Sequence, residues 1–161
     1  MRLITKIIKL MILLLVFTGC GKIENNQNKN EVYGFLYQTK LIEVGKVYDE
    51  NVLGKSNSFF DNENCAFSEK DTTYVYDNFQ LQTYENKNHE MIIYSIYLFN
   101  NEVSTKEGLK IYDTYNDMIN LYGINYVKEG NLYIYKKGQS DLNIIIQDNI
   151  IESIEYYLNT L

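Results

Sequence analysis

Short runs rich in tyrosine and isoleucine, separated by turn-forming residues, recur along the chain and limit what it can fold into. In one half, the runs at 73–76, 79–84 and 93–97 are separated by Asp77-Asn78 and by residues 85–88. Aromatic and β-branched residues favour strands, while asparagine and aspartate favour tight turns. This pattern predicts three antiparallel strands joined by hairpins.

A second set of runs follows the same plan at 132–135, 141–146 and 151–155. Lys136-Lys137-Gly138 and Asp148-Asn149 lie between these runs and have turn compositions. The chain therefore contains two similar sets of three predicted strands. A three-stranded meander is a poor domain when it stands alone, so each set needs something to pack against.

A short helical signal precedes each set of strands. Residues 42–54 and 109–123 each combine an extended lead-in, an acidic first turn, apolar residues at helical spacing and a final glycine. In the second segment Asp113 or Thr114 suits the N-cap position, and Gly123 suits the residue that closes a helix. Helices of about two turns are unstable alone and need a sheet to pack on.

These signals predict an α+β fold made of tandem units, each with one short helix followed by a three-stranded antiparallel meander. The first unit is predicted to span residues 32–104 and the second residues 105–161. Residues 105–108 are the most loop-like piece at the junction between the two units.

The first residues of the chain have the features of a secretory signal. Arg2, Lys6 and Lys9 form a positive head, and residues 10–17 are an unbroken apolar run that is too short to span a bilayer. Residues 1–19 are therefore predicted to be a signal peptide that is removed on export.

Thr18, Gly19 and Cys20 follow the apolar run and resemble the lipobox of bacterial lipoproteins. The resemblance implies cleavage between Gly19 and Cys20 and addition of a diacylglycerol to the Cys20 thiol. The lipobox prefers leucine three residues before the cysteine, where this chain has Phe17. An ordinary signal peptide with a chance cysteine, or an uncleaved anchor, is the alternative. The lipoprotein interpretation places the protein on the extracytoplasmic face of the cell membrane, held by its acyl chains.

The chain after the predicted cleavage site begins with a polar stretch and is strongly acidic. Residues 20–31 are rich in asparagine and lack apolar periodicity, which is typical of a flexible tether behind the lipidated cysteine. Loss of the three basic residues of the signal lowers lysine plus arginine from 15 to 12, against 21 aspartates and glutamates. The resulting net charge of −9 leaves no basic stripe for a phosphate backbone, so nucleic-acid binding is not expected.

Few side chains suited to metal or nucleophilic chemistry are present. His89 is the single histidine, and with Cys20 lipidated Cys65 is the single remaining thiol, so neither a metal site nor a cofactor is predicted. A dyad of Cys65 and His89 has no recognisable local signature, and a buried thiol and a solvated imidazole are favoured. Residues 61–64 carry oxygen ligands at close spacing but lack the EF-hand pattern, so a solvated loop is favoured over a calcium site.

Tyrosine is abundant, and several of the rings are predicted to lie on sheet faces. As a cluster they would form an aromatic contact surface for a protein or a glycan. The alternative is that the rings pair across strands and fill the core. The candidate binding surface consists of Tyr74, Tyr76, Tyr94, Tyr97, Tyr133 and Tyr135.

The stretch GLKIYDTYNDMINLYG at 108–123, followed by tyrosine-rich strands, resembles a repeat of small bacterial surface lipoproteins. In that family a short helix precedes antiparallel strands and two copies occur in tandem. The family fold is similar to that of β-lactamase inhibitor protein and of small outer-membrane assembly lipoproteins. The family has glycine after the lead-in strand, which Gly45 matches and Tyr112 does not. The resemblance implies a fold and, as a functional hint, binding of other proteins on an exposed sheet face.

The sequence therefore predicts a non-catalytic binding module at the cell envelope, whose partner is an envelope or secreted protein. A second hypothesis is an envelope enzyme that acts on glycan or cell wall through a pair of carboxylates. A third is a small-ligand-binding lipoprotein of a transporter, for which the chain is short. No motif in the sequence identifies a catalytic residue.

Overall fold

The computed structural model describes residues 31–62 and 71–159, which form antiparallel strands and two short helices. In chain order the elements are β1 (Gly34–Tyr37), β2 (Lys40–Glu43), α1 (Glu50–Leu53), β3 (Ser58–Asn62), β4 (Asp71–Val75), β5 (Phe79–Glu85), β6 (Met91–Leu98), β7 (Ser104–Thr105), α2 (Tyr115–Tyr122), β8 (Val127–Glu129), β9 (Leu132–Lys137), β10 (Ser140–Gln147) and β11 (Ile150–Leu158).

The strands are arranged in two sheets. Strands β2, β1 and β7 form the smaller sheet, and the larger sheet has eight strands in the order β3-β4-β5-β6-β11-β10-β9-β8. Four consecutive strands from each half of the chain meet at β6 and β11, where Ile96 lies opposite Tyr156 and Leu98 opposite Ile154. The two sets of predicted strands therefore belong to one continuous sheet.

The predicted α+β fold class, with tandem units of one helix and a three-stranded meander, is wrong. Strands contain 52% of the described residues and helices 10%. Helix α1 has four residues and α2 has eight, which is too short for a helical layer over a sheet. Each half of the chain supplies four strands to the shared sheet, while β1, β2 and β7 pair in a sheet of their own. The boundary predicted at 104/105 falls within β7.

One face of the larger sheet, here called the inner face, carries the core. The smaller sheet packs on it, with the ring centroid of Phe35 4.8 Å from that of Phe79. Helix α2 lies on the same face, with the ring centroid of Tyr122 5.3 Å from that of Tyr135. Each fully buried apolar side chain contributes about 1.5–3 kcal/mol. The buried side chains of this face include Phe79, Leu81, Ile96, Leu98, Leu142, Ile144, Ile154 and Tyr156.

Helix α2 begins with a reciprocal pair of hydrogen bonds at Thr114, one of the two N-cap positions that the sequence indicates. The backbone N of Asp117 donates to Thr114 Oγ1 at 3.2 Å, and the backbone N of Thr114 donates to Asp117 Oδ2 at 2.9 Å. These bonds from Thr114 lower the pKa of the Asp117 carboxyl. The cap fixes where the helix starts and so directs Met118 into the core.

Tyr112 has a left-handed backbone conformation that glycine adopts at lower cost. Its φ is 74°, close to the 78° of Gly45. The backbone N of Tyr112 donates to Ile151 O at 2.9 Å, near the start of β11. The backbone N of Gly45 donates to Ile93 O at 2.7 Å, near the start of β6. The two residues therefore make equivalent hydrogen bonds to long strands. The Tyr112 side chain is 63% exposed, so burial of the ring offsets little of the backbone strain.

Tyr112→Gly is expected to raise the free energy of unfolding by about 1 kcal/mol, because relief of left-handed strain exceeds the extra chain entropy of glycine. Urea denaturation followed by circular dichroism measures the change. Tyr112→Ala removes the same ring but keeps the strain, and is expected to change stability by less than about 0.5 kcal/mol. A glycine variant no more stable than the alanine variant would contradict this account.

The hydroxyl of Tyr156 is buried without a hydrogen-bond partner among the described residues. Its side chain is fully covered, and burial is the main cause that raises the pKa of this phenol. The hydroxyl of Tyr135, also on the inner face, differs because it donates to Gly123 O at 2.7 Å. A buried polar group without a partner costs about 1–3 kcal/mol.

Tyr156→Phe is therefore expected to stabilise the protein by about 1–2 kcal/mol. Tyr135→Phe removes one hydroxyl from the same face but breaks a hydrogen bond, and is expected to destabilise by about 1 kcal/mol. Thermal unfolding of the two variants side by side gives the comparison. Destabilisation by Tyr156→Phe equal to that of Tyr135→Phe would show that the Tyr156 hydroxyl is satisfied in solution.

Candidate functional site

The opposite face of the larger sheet, here called the outer face, is open. Both helices and the smaller sheet lie on the inner face, and along β9 and β10 buried residues alternate with half-buried ones. Antiparallel sheets covered on one side usually present polar side chains on the other. This face is mixed instead, with apolar and aromatic side chains among amides and acids. Its side chains include Val75, Gln80, Gln82, Tyr97, Ile134, Asp141, Asn143, Ile145, Glu155 and Tyr157.

The middle of the outer face lies on β6 and β11, the fourth and fifth strands of the eight. Tyr97 lies opposite Glu155, and Ser95 lies opposite Tyr157, so four side chains form a block that we call the central patch. Ser95 Oγ donates to Glu155 Oε1 at 2.9 Å, which fixes the carboxylate between the two rings. A carboxylate has about four acceptor sites, so Glu155 keeps capacity for donors from a partner.

The central patch continues into further aromatic rings. The ring of Tyr94 lies edge-on to that of Tyr157, with centroids 6.2 Å apart, and the ring of Tyr84 lies 6.2 Å from that of Tyr94. On the other side, the Tyr97 and Phe99 centroids are 5.7 Å apart. Burial, and then the charge of Glu155, raise the pKa of Tyr157, so its phenol stays neutral and can both donate and accept.

The six tyrosines proposed from the sequence do not share one surface. Tyr97 is half-buried on the outer face, whereas Tyr94 contacts the Tyr157 ring of that face but is itself buried. The other four follow the register of the inner face, where Tyr74 lies opposite Leu81 and Tyr135 opposite Leu142. Tyr76, Tyr133 and Tyr135 are buried, so they fill the core rather than form a contact surface.

Two members of the central patch, Glu155 and Tyr157, are absent from the sequence-based candidates. Their place beside Tyr97 and Ser95 depends on the pairing of β6 with β11, which no local pattern in the sequence signals. Tyr157 lies just beyond the predicted strand, which ended at residue 155, whereas β11 continues to Leu158.

Of the other residues named from the sequence, some lie outside the described residues and others lie in exposed turns or strands. Gly19, Cys20 and Cys65 lie outside the described residues, so lipidation and cleavage stay predictions. His89 is exposed in a turn, where its Nδ1 contacts the carboxylate of Glu85. In the segment 61–64, for which the sequence favours a solvated loop over a calcium site, Asp61 Oδ1 accepts a hydrogen bond from Thr72 Oγ1 at 2.8 Å, and residues 63–64 lie outside the described residues.

Within residues 31–62 and 71–159, no three histidine, cysteine, aspartate or glutamate side chains come together in a way that could hold a metal ion. Across the same residues, neither helix has the length and apolar character needed to cross a membrane.

A second concave feature, here called the edge cleft, lies beside strand β3 on the inner side of the larger sheet. Its volume is about 540 Å³. The rings of Tyr48 and Tyr74 stack in it with centroids 4.0 Å apart, and burial raises the pKa of both phenols. Its lining includes Tyr48, Glu50, Lys55, Phe59, Asp61 and Tyr74.

Comparisons with known proteins assign this chain to no family. No protein-family model matches the sequence, and no curated protein matches it either. A solved structure of YjgB, a DUF4309-family protein from Bacillus subtilis, aligns with this chain at 13% identity and a TM-score of 0.38. The alignment covers 68% of this chain and 74% of the YjgB chain. A similarity this low carries no argument about the fold or the function of this chain.

Proposed function

We propose that this protein is a lipid-anchored, extracytoplasmic interaction module that binds an envelope or secreted protein on the outer face of its larger sheet. The central patch is the observation that carries the proposal. It presents Tyr97 and Tyr157 on neighbouring strands, with the Glu155 carboxylate between them. Tyrosine is among the residues that contribute most of the binding energy at protein interfaces.

A sheet face suits this role because its side chains are held in place before a partner arrives. Each ring of the central patch rises from a strand that is hydrogen-bonded on both sides, which limits the entropy lost on binding. The Tyr97 ring contacts that of the exposed Phe99, which extends the apolar area, and the buried ring of Tyr94 supports that of Tyr157. A rigid, partly apolar surface with one fixed acceptor favours a protein partner over a small ligand.

The proposed anchor explains where binding takes place. The signal-like residues 1–19 and the lipobox-like Cys20 support attachment through acyl chains, and residues 20–31 would act as a tether. The predicted charge of −9 opposes contact between the folded part and an anionic membrane surface. The tether and the charge together favour a sheet that stands away from the lipid and meets a partner protein.

Recovery of a cross-linked partner from intact cells tests the proposal. A tagged chain is cross-linked in cells and its adducts are identified by mass spectrometry, in parallel with the double variant Tyr97→Ala, Tyr157→Ala. Because two central rings each contribute about 1–2 kcal/mol, recovery of the partner is expected to fall at least tenfold. Tyr112→Ala, which removes an exposed ring outside the outer face, is expected to leave recovery unchanged.

The anchor is tested in the same experiment with Cys20→Ala. Lower recovery with this variant at equal expression would support the envelope location. A partner that is captured equally by the unaltered chain and by the double tyrosine variant would contradict binding at the outer face. Failure of the unaltered chain to capture any envelope protein would contradict the proposal as a whole.

A second candidate function, glycan hydrolysis by a carboxylate pair, is favoured by one observation. Glu50 and Asp61 both line the edge cleft, beside the aromatic rings of Tyr48 and Tyr74. Both acids are exposed, however, whereas a general acid in a glycosidase needs an apolar environment that keeps it protonated. Release of dye-labelled fragments from purified cell wall, abolished by Asp61→Asn, would support this function over the first.

A further inference from the structure

Strand β3 leaves one edge without a partner among the described residues. It pairs with β4 over its whole length, from Ser58 opposite Val75 to Asn62 opposite Asp71, and it is the end strand of the larger sheet. The backbone N–H and C=O groups along its free edge can accept another extended chain. The strand at the opposite end, β8, has only three residues and offers a shorter edge.

Strand β3 has few of the features that usually protect a sheet edge. Proteins block such edges with lysine, proline, a β-bulge or an inward-facing charge, and of these β3 has only the charge of Asp61. The sequence of β3, SFFDN, has no lysine and no proline, and its register with β4 is unbroken. Phe59 is 67% exposed and Phe60 is 51% exposed, and because they are consecutive they project from opposite faces. An added strand would cover both rings.

The edge cleft lies where the side chains of an added strand would project. Phe59 and Asp61, the inner-facing residues of β3, form part of its lining, together with Tyr74 of the next strand. In a sheet, every second side chain of an added strand points to the same face. Alternate side chains of the added strand would therefore enter the mouth of the cleft.

The charges of the edge cleft favour a basic side chain. Glu50 and Asp61 supply two negative charges against one positive charge on Lys55, and Lys55 forms no ion pair within the described residues. The whole chain is acidic as well. A long cationic side chain can lay its apolar stem on Phe59 and Tyr74 while its charge meets the carboxylates.

We infer that β3 and the edge cleft form a second binding site, which takes an extended basic segment of a partner protein as an added antiparallel strand. Main-chain hydrogen bonds to β3 supply affinity, and an arginine or lysine side chain in the edge cleft supplies specificity. The site is separate from the central patch. Its failure would leave the proposed function standing, and failure of the outer face would leave this site standing.

The probe is a blocked heptapeptide of alternating threonine and valine with one central arginine. It is titrated into the isotope-labelled protein that begins at residue 20, which keeps both sheets and the whole hydrophobic core. Amide shifts are expected to move along β3 and to stay fixed along β8. Replacing the arginine of the peptide with glutamate is expected to weaken binding at least tenfold.

Two N-methylated versions of the peptide separate strand addition from other contacts. In an added strand, alternate amides face β3 and the others face solvent. Methyl groups on one alternate set are therefore expected to abolish binding, while methyl groups on the other set leave it intact. Equal binding by both versions would overturn strand addition. Amide shifts along β3 that stay unchanged at a millimolar concentration of the peptide would overturn it as well.

Adjacent phenylalanines give a matched pair of variants. Phe59→Ala removes a ring from the edge cleft and is expected to weaken peptide binding at least tenfold. Phe60→Ala removes the same ring from the opposite face and is expected to weaken binding less than Phe59→Ala does. Both side chains are more than half exposed, so both variants are expected to fold. Equal effects of the two variants would overturn the role of the cleft.

Discussion

Phe79→Ala is expected to destabilise the protein by about 3–5 kcal/mol. The Phe79 side chain is fully buried, and its ring joins the two sheets. Its centroid lies 4.8 Å from that of Phe35, 4.9 Å from that of Tyr37 and 4.6 Å from that of Tyr76. Removal of the ring leaves a cavity that three fixed rings cannot fill.

Urea denaturation followed by circular dichroism measures this loss as a lower midpoint with an unchanged slope. Phe60→Ala is the matched control, because it removes the same ring from a position that is 51% exposed. Its expected cost is below about 1 kcal/mol. Equal losses in the two variants would show that Phe79 does not hold the sheets together.

Gly34→Ala is expected to cost about 3 kcal/mol, because strand β1 approaches β2 too closely for a side chain. A Cβ atom on Gly34 would lie 2.2 Å from the carbonyl oxygen of Ile42 and 2.9 Å from Glu43 Cγ. The first of these atoms belongs to the backbone and cannot rotate away. Relief requires β1 and β2 to separate at the point where Gly34 pairs with Glu43.

Gly130→Ala is the control for this prediction. Gly130 lies between β8 and β9 with a φ of 62°, and a Cβ atom there would meet nothing within 4 Å. Its substitution therefore costs only the left-handed strain of about 1–2 kcal/mol. Thermal unfolding compares the two variants. A loss at Gly34 no greater than that at Gly130 would contradict a steric clash between the strands.

The individual strands of the larger sheet could be predicted well from local patterns. The runs predicted at 79–84 and 141–146 lie within β5 and β10. Their tyrosine and isoleucine residues and their turn-forming boundaries act locally, so no knowledge of distant contacts was needed. The same local patterns gave no indication of how the two sets of strands combine.

The smaller sheet was missed because its hairpin has no sequence signal. Strands β1 and β2 are joined by Gln38 and Thr39, which both have positive φ values, 47° and 71°. A two-residue turn of this kind usually contains asparagine and glycine. With that signal absent, no local pattern indicates that residues 34–37 pair with residues 40–43. The two end strands of the larger sheet, β3 and β8, were missed as well, because each pairs with a single neighbour and neither follows a clear turn signal.

The candidate site could be predicted only in part, because its composition depends on which face each strand presents. A one-residue shift moves every side chain to the other face. Register shifts occur between Gln82 and Thr83 and between Ile145 and Ile146, so alternation in the sequence does not carry through whole strands. The pairing that brings Ser95 to Glu155 joins residues 60 positions apart. Tyr97 could be proposed from sequence, but its neighbours could not.

Site-specific photocross-linking in intact cells tests the central claim most directly. A benzophenone amino acid is placed at position 97 in the middle of the outer face, and in a second strain at the exposed position 112 outside it. The account predicts that one envelope or secreted protein is cross-linked from position 97 and not from position 112. Adducts from position 112 alone, or no adduct from either position, would contradict the assignment of the outer face as the binding surface.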